Sequence, residues 1–410
     1  MADLSPSAAP PRSRRWFLGL GAALGGALAA CRSKQAPPPV EPRVLGAPIS
    51  PYGSRSRFEK ATRFFRPTTI PEEASSRTPL HDSCGIITPS SLHFERHHGG
   101  VPDIDPAAHT LTIHGLVERP VVFTVDEIER LPSVSRIFFL ECSGNSASEW
   151  RGAAESDVQR GHGLTSCSEW TGVWLSTLLR DSGVQPHGTW ILAEGADACK
   201  LARSIPIAKA MHDALVAYGQ NGEALRPEQG YPLRLVVPGW EGNVNVKWLR
   251  RIKVLDQPAM TRWETSKYTD LLADGTARQF TFDMEAKSVI TRPSGGDKLA
   301  GAGLYEVTGL AWSGRGAIAR VEISVDAGRT WTDATRQEPV LPRAHTRFTW
   351  SWRWDGRDAV LQSRCTDDTG YVQPPRTDLV AVRGLNSNYH NNAIQSWTVA
   401  ADGSVTNGNA

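Results

Sequence analysis

No two cysteines in this 410-residue chain stand in a Cys-x-x-Cys pair, none opens a Cys-x-x-Cys-His run, and none falls into a zinc spacing. The six thiols, at positions 31, 84, 142, 167, 199 and 365, therefore offer no covalent haem attachment and no structural zinc knot. A disulfide joining Cys84 to another thiol is open in an oxidising compartment, and spacing does not choose its partner. An excess of charge of one sign is missing as well. The formal net charge of +2, with both signs mixed, provides no field that would gather nucleic acid or an acidic membrane, so anion recognition has to be local. No helical repeat or internal period appears, which excludes repeat architectures. Against these absences stand 14 tryptophans, suited to large packed surfaces or a cofactor pocket and mostly accounted for by β-rich cores.

The amino terminus reads as an address. Ser13-Arg14-Arg15-Trp16-Phe17-Leu18 precedes an apolar, Gly/Ala-rich stretch that ends at Ala30 and is too short and glycine-rich for a comfortable membrane span. It resembles the twin-arginine export signal, whose route carries proteins already folded and so suits a cofactor inserted before export; an ordinary secretory signal with adjacent arginines is the alternative. Leu28-Ala29-Ala30-Cys31 also looks like a bacterial lipoprotein cleavage box. The expectation for residues 1–31 is export to the periplasm, with a lipid on Cys31 or plain cleavage to a soluble protein. Residues 32–57, with Pro37-Pro38-Pro39, Pro42, Pro48 and Pro51, read as an extended tether without chemistry.

A mixed α/β domain over 58–285 and a β-sandwich over 286–400 follow, an α+β chain with a tail at 401–410. In the first domain, 109–117 alternates as a strand and Thr124 caps a short helix through Leu131. Ile137-Phe138-Phe139-Leu140 is expected of a strand buried on both faces, and it delivers Cys142 into a tight Ser143-Gly144-Asn145 turn. A thiolate held there is a soft ligand for a metal that changes oxidation state, although a cysteine after a buried strand, taken alone, is more often an inert small hydrophobe. Phe94-Glu95-Arg96-His97-His98-Gly99-Gly100-Val101-Pro102 reads as a flexible polar loop whose Arg and His suit phosphate and other oxyanions. Leu175, Leu178 and Leu179 share the face of a helix that stops at Gly183. Residues 190–194 form a strand with Asp197 in the loop that leaves it; Ser204 starts a short helix; 215–218 and 233–237 are strands. Beyond about Asp283, Val321, Ile323 and Val325 alternate with Glu322 and Ser324. A turn at 326–329 returns the chain, and Phe348, Trp350, Trp352 and Trp354 alternate with polar residues. Such strands describe a sandwich of the immunoglobulin type.

Together these segments resemble the sulfite oxidase family of molybdenum enzymes, most nearly the molybdenum subunit of the bacterial sulfur-oxidation (Sox) sulfane dehydrogenase. The resemblance runs from about Ser91 to about Trp397. It rests on motifs in family order: the loop at 94–102, Glu-Cys-Ser-Gly-Asn at 141–145, Ser-Ile-Pro-Ile at 204–207, Tyr-Pro-Leu-Arg-Leu-Val-Val-Pro-Gly at 231–239, Val-Lys-Trp-Leu at 246–249, Gly-Leu-Ala-Trp-Ser-Gly at 309–314, and Arg383-Gly384 followed by Tyr389-His390-Asn391-Asn392. It implies a mixed α/β molybdopterin-binding domain, then an immunoglobulin-like dimerisation domain, with one Mo-molybdopterin per chain. Cys142 would be the single protein thiolate on molybdenum. The cofactor's phosphate and pterin would be held by Phe94, Arg96 and His98, by Asp197, by Gln229 and Arg234, and by Asn245, Val246 and Lys247. Tyr268 matches the family's active-site tyrosine and Arg383 an arginine from the carboxy-terminal domain, so Cys142, Arg96, Tyr268 and Arg383 are the catalytic candidates.

The implied activity is oxygen-atom transfer to sulfur. With no haem motif in the chain, electrons would pass to a c-type cytochrome, as acceptor or subunit; a sulfur-carrier protein and a homodimer through the carboxy-terminal domain are the other implied partners. The chain departs from the vertebrate-type pattern in two places. Ser146-Ala147-Ser148 stand where arginines follow the cysteine loop, and Gln229 and Asn245 stand where histidines are usual. A less cationic pocket fits sulfane sulfur presented on a carrier protein, with free sulfite as the alternative. Two further readings are a sulfoxide reductase, whose relatives lack the sandwich, and a metal-free scaffold lipoprotein, which requires the motifs to be accidental.

Overall fold

The computed structural model describes residues 45–408. The expected export signal at 1–31, Cys31 with it, and the tether up to residue 44 lie outside the described residues. Residues 45–59 belong to a unit of their own and carry no helix or strand. Among the described residues no helix is long and apolar enough to cross a membrane.

The apolar run before Cys142 is the inner half of a strand, Val134–Glu141, whose last four residues are all buried. It pairs antiparallel with Thr165–Trp174, which pairs with Leu215–Gln220; Glu223–Ala224 and Arg234–Val236 complete a five-stranded sheet. Successive side chains of a strand point to opposite faces, and here each face meets a different core. Phe138 joins Trp170, Leu215 and Val236, whereas Phe139 joins a cluster built largely from Trp312, Phe348, Trp354 and other residues of the carboxy-terminal half. That double contact is why the run lacks polar alternation.

A second five-stranded sheet runs Val121–Thr124, Thr110–Gly115, Leu249–Leu255, Trp190–Gly195, Ala202–Pro206, with one parallel pair at Thr110–Gly115 and Leu249–Leu255. Helix Leu175–Ser182 packs Leu175, Leu178 and Leu179 with Leu111, Ile191 and Ile252 of this sheet, and ends at Gly183 with φ +68°, a left-handed stop that glycine adopts without strain. Thr124 caps Val125–Glu129 in a full capping box with Glu127, and that helix ends two residues short of Leu131, at the Arg130 cap.

Three expectations change. Ser204 does not start a helix: Ala202–Pro206 is a strand, with Ile205 paired to Ile191, and the helix begins at Ile207. The residue before a proline is driven to extended backbone, and a fully buried Ile205 holds it in the sheet. The loop at 94–102 is not wholly irregular: Glu95–Arg96 pairs with Ser75–Arg77, which pairs with Phe64–Arg66. Of the expected tail, Val405–Gly408 is an edge strand paired with Ser396–Val399, anchored by buried Val405.

The β-sandwich part opens at Lys287 and, against the expectation of strands alone, carries the helix Arg376–Arg383. One sheet runs Lys287–Arg292, Gly303–Trp312, Thr346–Trp354, Thr335–Arg336. The other runs Thr332–Asp333, Ile318–Ser324, Ala359–Asp367, Ser396–Val399, Val405–Gly408. The expected alternation at 321–325 is incomplete, because Glu322 is buried and paired to Arg364 and Arg320. Leu80, Phe139, Val158 and Cys167 belong to the same apolar cluster as the sandwich, so 60–408 packs as one compact unit across the change in strand pattern.

Candidate active site

The buried strand ends by lifting Cys142 to the wall of a cleft that encloses about 710 Å³ up to and including its mouth. The turn is closed by its own backbone: Cys142 N–H donates to Leu164 O at 2.9 Å, and Cys142 O accepts from Asn145 N–H at 2.9 Å. Gly242 lies against it, where a Cβ would meet Glu141 O at 2.8 Å, so only glycine lets the two segments approach. Burial raises the thiol's pKa, while the Gly144 N–H and the Arg96 guanidinium favour the thiolate.

Phe94, Arg96, His98, Asp197 and Gln229 line the same cleft, as do Arg234, Asn245, Lys247 and Tyr268. Residues from five separate segments thus converge where sequence alone could not place them. Gln229 donates to Phe94 O at 3.0 Å and Arg234 to Gln229 O at 2.9 Å, so the amide spaces the arginine from the Arg96 loop. Lys247 Nζ reaches Arg96 O at 3.4 Å, Glu228 O at 3.1 Å and His97 Nδ1 at 2.7 Å, with no carboxylate oxygen among its hydrogen-bond partners. Burial, reinforced by Arg234, lowers Lys247 to about 7, and burial lowers Arg234 to about 9. Of the two lining carboxylates, Glu95 is engaged by Arg63 and His97, and burial pushes Asp197 toward its neutral form.

Tyr268 hangs over the cleft with its hydroxyl 2.6 Å from His98 Nε2. Its φ of +52° is a left-handed conformation that a tyrosine adopts only when its surroundings hold it, here the Tyr389 hydroxyl on its N–H and the Arg203 guanidinium 5.2 Å from its ring centre. Burial raises the phenol well above its ordinary value, so it is a hydrogen-bond donor and not a base.

Two expected residues are elsewhere. Val246 is wholly buried in the core, its carbonyl taken by Leu235 N–H at 2.8 Å. Arg383 does not line the cleft: it is buried at the end of helix Arg376–Arg383 and donates to Glu285 at 2.9 Å. The carboxy-terminal half meets the site instead through Tyr389 and through His390, whose N–H donates to Ser143 O at 2.8 Å. Asn245 lines the cleft, but its amide is spent on Val237 N–H and Glu241 O, so it braces the wall. Asn243 and His97 also line the cleft and were not among the candidates. Asn243 bridges Ser143 and Glu241, a role that only its long-range contacts reveal.

Among the described residues no group of three or more His, Cys, Asp and Glu is arranged to hold a metal. One soft thiol beside excess buried cations, with Arg234 Nε lacking a partner, fits a metal whose remaining ligands come from a bulky anionic cofactor. Residues 98–263 match the oxidoreductase molybdopterin-binding domain and 278–397 the molybdenum-cofactor oxidoreductase dimerisation domain. The crystal structure of the sulfane dehydrogenase SoxCD from Paracoccus pantotrophus is similar at TM-score 0.88 and 46% identity, covering 92% of this chain and 98% of that one. The chain belongs to the sulfite oxidase family of molybdopterin oxidoreductases. Its cofactor is accordingly molybdenum held by molybdopterin, and residues 278–397 are the family's dimerisation domain. Other relatives in this family are the mitochondrial sulfite oxidase of Mus musculus, 31% identical over 74% of this chain and 60% of that protein, and an NADH nitrate reductase of Ulva prolifera, 32% identical over 66% and 35%. The chain thus spans 35% to 60% of the length of these two relatives.

Proposed function

We propose that this protein is a molybdenum-dependent oxidoreductase that oxidises a sulfur compound, sulfane sulfur on a carrier protein ahead of free sulfite, and passes the electrons to a c-type cytochrome. The observation that carries the reading is the convergence of Cys142, Arg96, Arg234, Lys247 and Tyr268 on one cleft, in a fold 46% identical to a sulfane dehydrogenase over nearly all of that chain.

When bound, the molybdenum cofactor supplies two-electron oxygen-atom transfer. The rest is the protein's work. Cys142 provides the thiolate that grips the metal. Arg234 and Lys247 would offset the cofactor's phosphate, Gln229 spacing Arg234 from the Arg96 loop while Lys247 bonds to that loop at Arg96 O and His97 Nδ1. Arg96 orients the anionic end of the substrate, a charge-assisted contact worth roughly 1.5–3 kcal/mol. With the ring proton of His98 on Nε2 and donated to the Tyr268 hydroxyl, the phenol proton of Tyr268 is free for an oxygen in the cleft. With Arg383 bound to Glu285 and a serine at 146, one guanidinium faces the substrate, which supports a carrier-bound sulfur over a doubly charged free anion.

The absence of a haem motif supports a separate cytochrome, and the dimerisation domain supports a homodimer. The twin-arginine segment supports work in the periplasm. The decisive assay compares free sulfite with a protein-bound persulfide, following reduction of cytochrome c by protein carrying about one molybdenum per chain. Faster turnover of the persulfide is expected. Preference for free sulfite moves the protein to the sulfite:cytochrome c class, and purification without molybdenum after cofactor-replete expression ends the enzyme reading.

A further inference from the structure

The cysteine loop is fastened from behind by the other half of the chain. Glu141, next to Cys142 and 1% exposed, accepts from Trp312 Nε1 at 2.7 Å, Lys287 Nζ at 3.2 Å and Asn145 Nδ2 at 2.9 Å. Lys287, equally buried, also donates to Ser146 Oγ at 2.7 Å and to Asn391 O at 2.7 Å. Ser146, with φ +63°, turns its hydroxyl away from the cleft and into this cluster, where His162 Nδ1 stands 2.9 Å away and Asn391 Nδ2 donates to its carbonyl. Lys287 and Trp312 come from the first two strands of the β-sandwich part, and Asn391 from its carboxy-terminal segment.

We propose that Lys287 is a positioning residue: through Glu141 and Ser146, on either side of Cys142, it transmits the placement of the dimerisation domain to the thiol. This rests on the reading of Cys142 as the metal ligand. A buried ion pair is a poor source of net stability, because desolvation consumes most of its Coulomb energy, but three donors converging on one carboxylate leave a single geometry for the loop that follows. Its own half also ties the loop, through Cys142 N–H on Leu164 O, Ser146 N–H on Gly161 O and Leu164 N–H on Asn145 Oδ1, all neutral contacts; the bond between Lys287 and Glu141 is the charged one. The serine at 146, a lost arginine when the sequence is compared with vertebrate-type enzymes, is in this account the seat of a lysine from the other half.

The test is the reactivity of Cys142 in cofactor-free full-length protein, read as the iodoacetamide alkylation rate of its tryptic peptide, together with the paramagnetic resonance spectrum of the metal in loaded protein. Lys287→Met is expected to speed alkylation at least about tenfold, the loss of one buried charge-assisted contact, and to shift the spectrum. Lys287→Arg should restore both in part. Should Lys287→Met fail to fold by circular dichroism, Trp312→Phe keeps an aromatic ring and removes one donor to Glu141, with an alkylation increase of roughly threefold expected. Lower melting temperatures with unchanged Cys142 reactivity and unchanged spectrum would overturn the proposal. A response in alkylation alongside a metal spectrum indifferent to Cys142→Ser would instead remove the ligand assignment and leave the positioning role standing.

Discussion

Lys287 is buried and Lys247 half-buried on the cleft wall, and what surrounds them differs. Lys287 donates to a carboxylate, a hydroxyl and a carbonyl, and Glu141 works against the lowering of its pKa by burial. Lys247 bonds to two carbonyls and an imidazole nitrogen, and burial together with Arg234 drives it down to about 7 although Glu95, Asp197 and Glu228 act the other way. Lys287 is bonded to a carboxylate and Lys247 to neutral groups only, an arrangement that leaves Lys247 able to take an anionic ligand. The cysteine wall of the cleft is thus tied by an ion pair, whereas Lys247 on the cationic wall bonds only neutral groups.

The sharpest break is at the thiol. Cys142→Ser should reduce cytochrome c reduction more than about 100-fold with the fold intact by circular dichroism; near-normal rates at full metal load would sink the ligand role. On the framework side, Lys287→Met leaves Glu141 buried without its cation and should cost about 3–5 kcal/mol in denaturant unfolding. On the ligand side, Arg234→Met should lower molybdenum retention by roughly 10–100-fold while costing little stability, measured as metal per chain after dialysis.

Lys247→Met should behave opposite to Lys287→Met in cofactor-free protein, raising the melting temperature by roughly 1–2 °C at neutral pH, the shift that about 1 kcal/mol gives in a unit of this size. A lysine whose folded value lies below its unfolded value penalises folding fully below about pH 7, and the penalty fades as pH climbs toward the ordinary lysine value. The gain should accordingly vanish by about pH 10. A melting temperature that falls at neutral pH would show that Lys247 is framework after all. The smallest effect is expected at Arg383→Gln: with Glu285 as its partner, it should change KM less than about threefold while lowering stability, and a tenfold KM increase would return it to the substrate.

Local chemistry made much of the site legible. An unbroken apolar run before Cys142, a Ser-Gly-Asn turn after it, and separate clusters of Arg, His and Lys announced a soft metal ligand and an anion site, and the cleft brings nearly all of them together. Helix Leu175–Ser182 was readable because its apolar spacing and terminal glycine are contained within one short segment. Val246 and Arg383 were misplaced for one reason: a motif match gives position along the chain but not the direction a side chain takes. Val246 alternates inward between Asn245 and Lys247, and Arg383 found a carboxylate, Glu285, that no spacing connects to it. Strand Val405–Gly408 escaped notice because an edge strand owes its existence to a partner, not to its own pattern.

What the sequence by itself determined is the inventory of chemistry: one thiol at a strand's end, clustered cations, no run for covalent haem attachment, and two kinds of strand pattern in order. Those are properties of residue type and near spacing, written within a few positions of each other. Only the tertiary structure decided which charges are paired, that position 146 looks inward to Lys287, and that both halves share the core beneath the cysteine strand. Burial and pairing are long-range quantities: they depend on groups more than a hundred positions apart, such as Glu141 and Lys287, whose meeting is a consequence of packing.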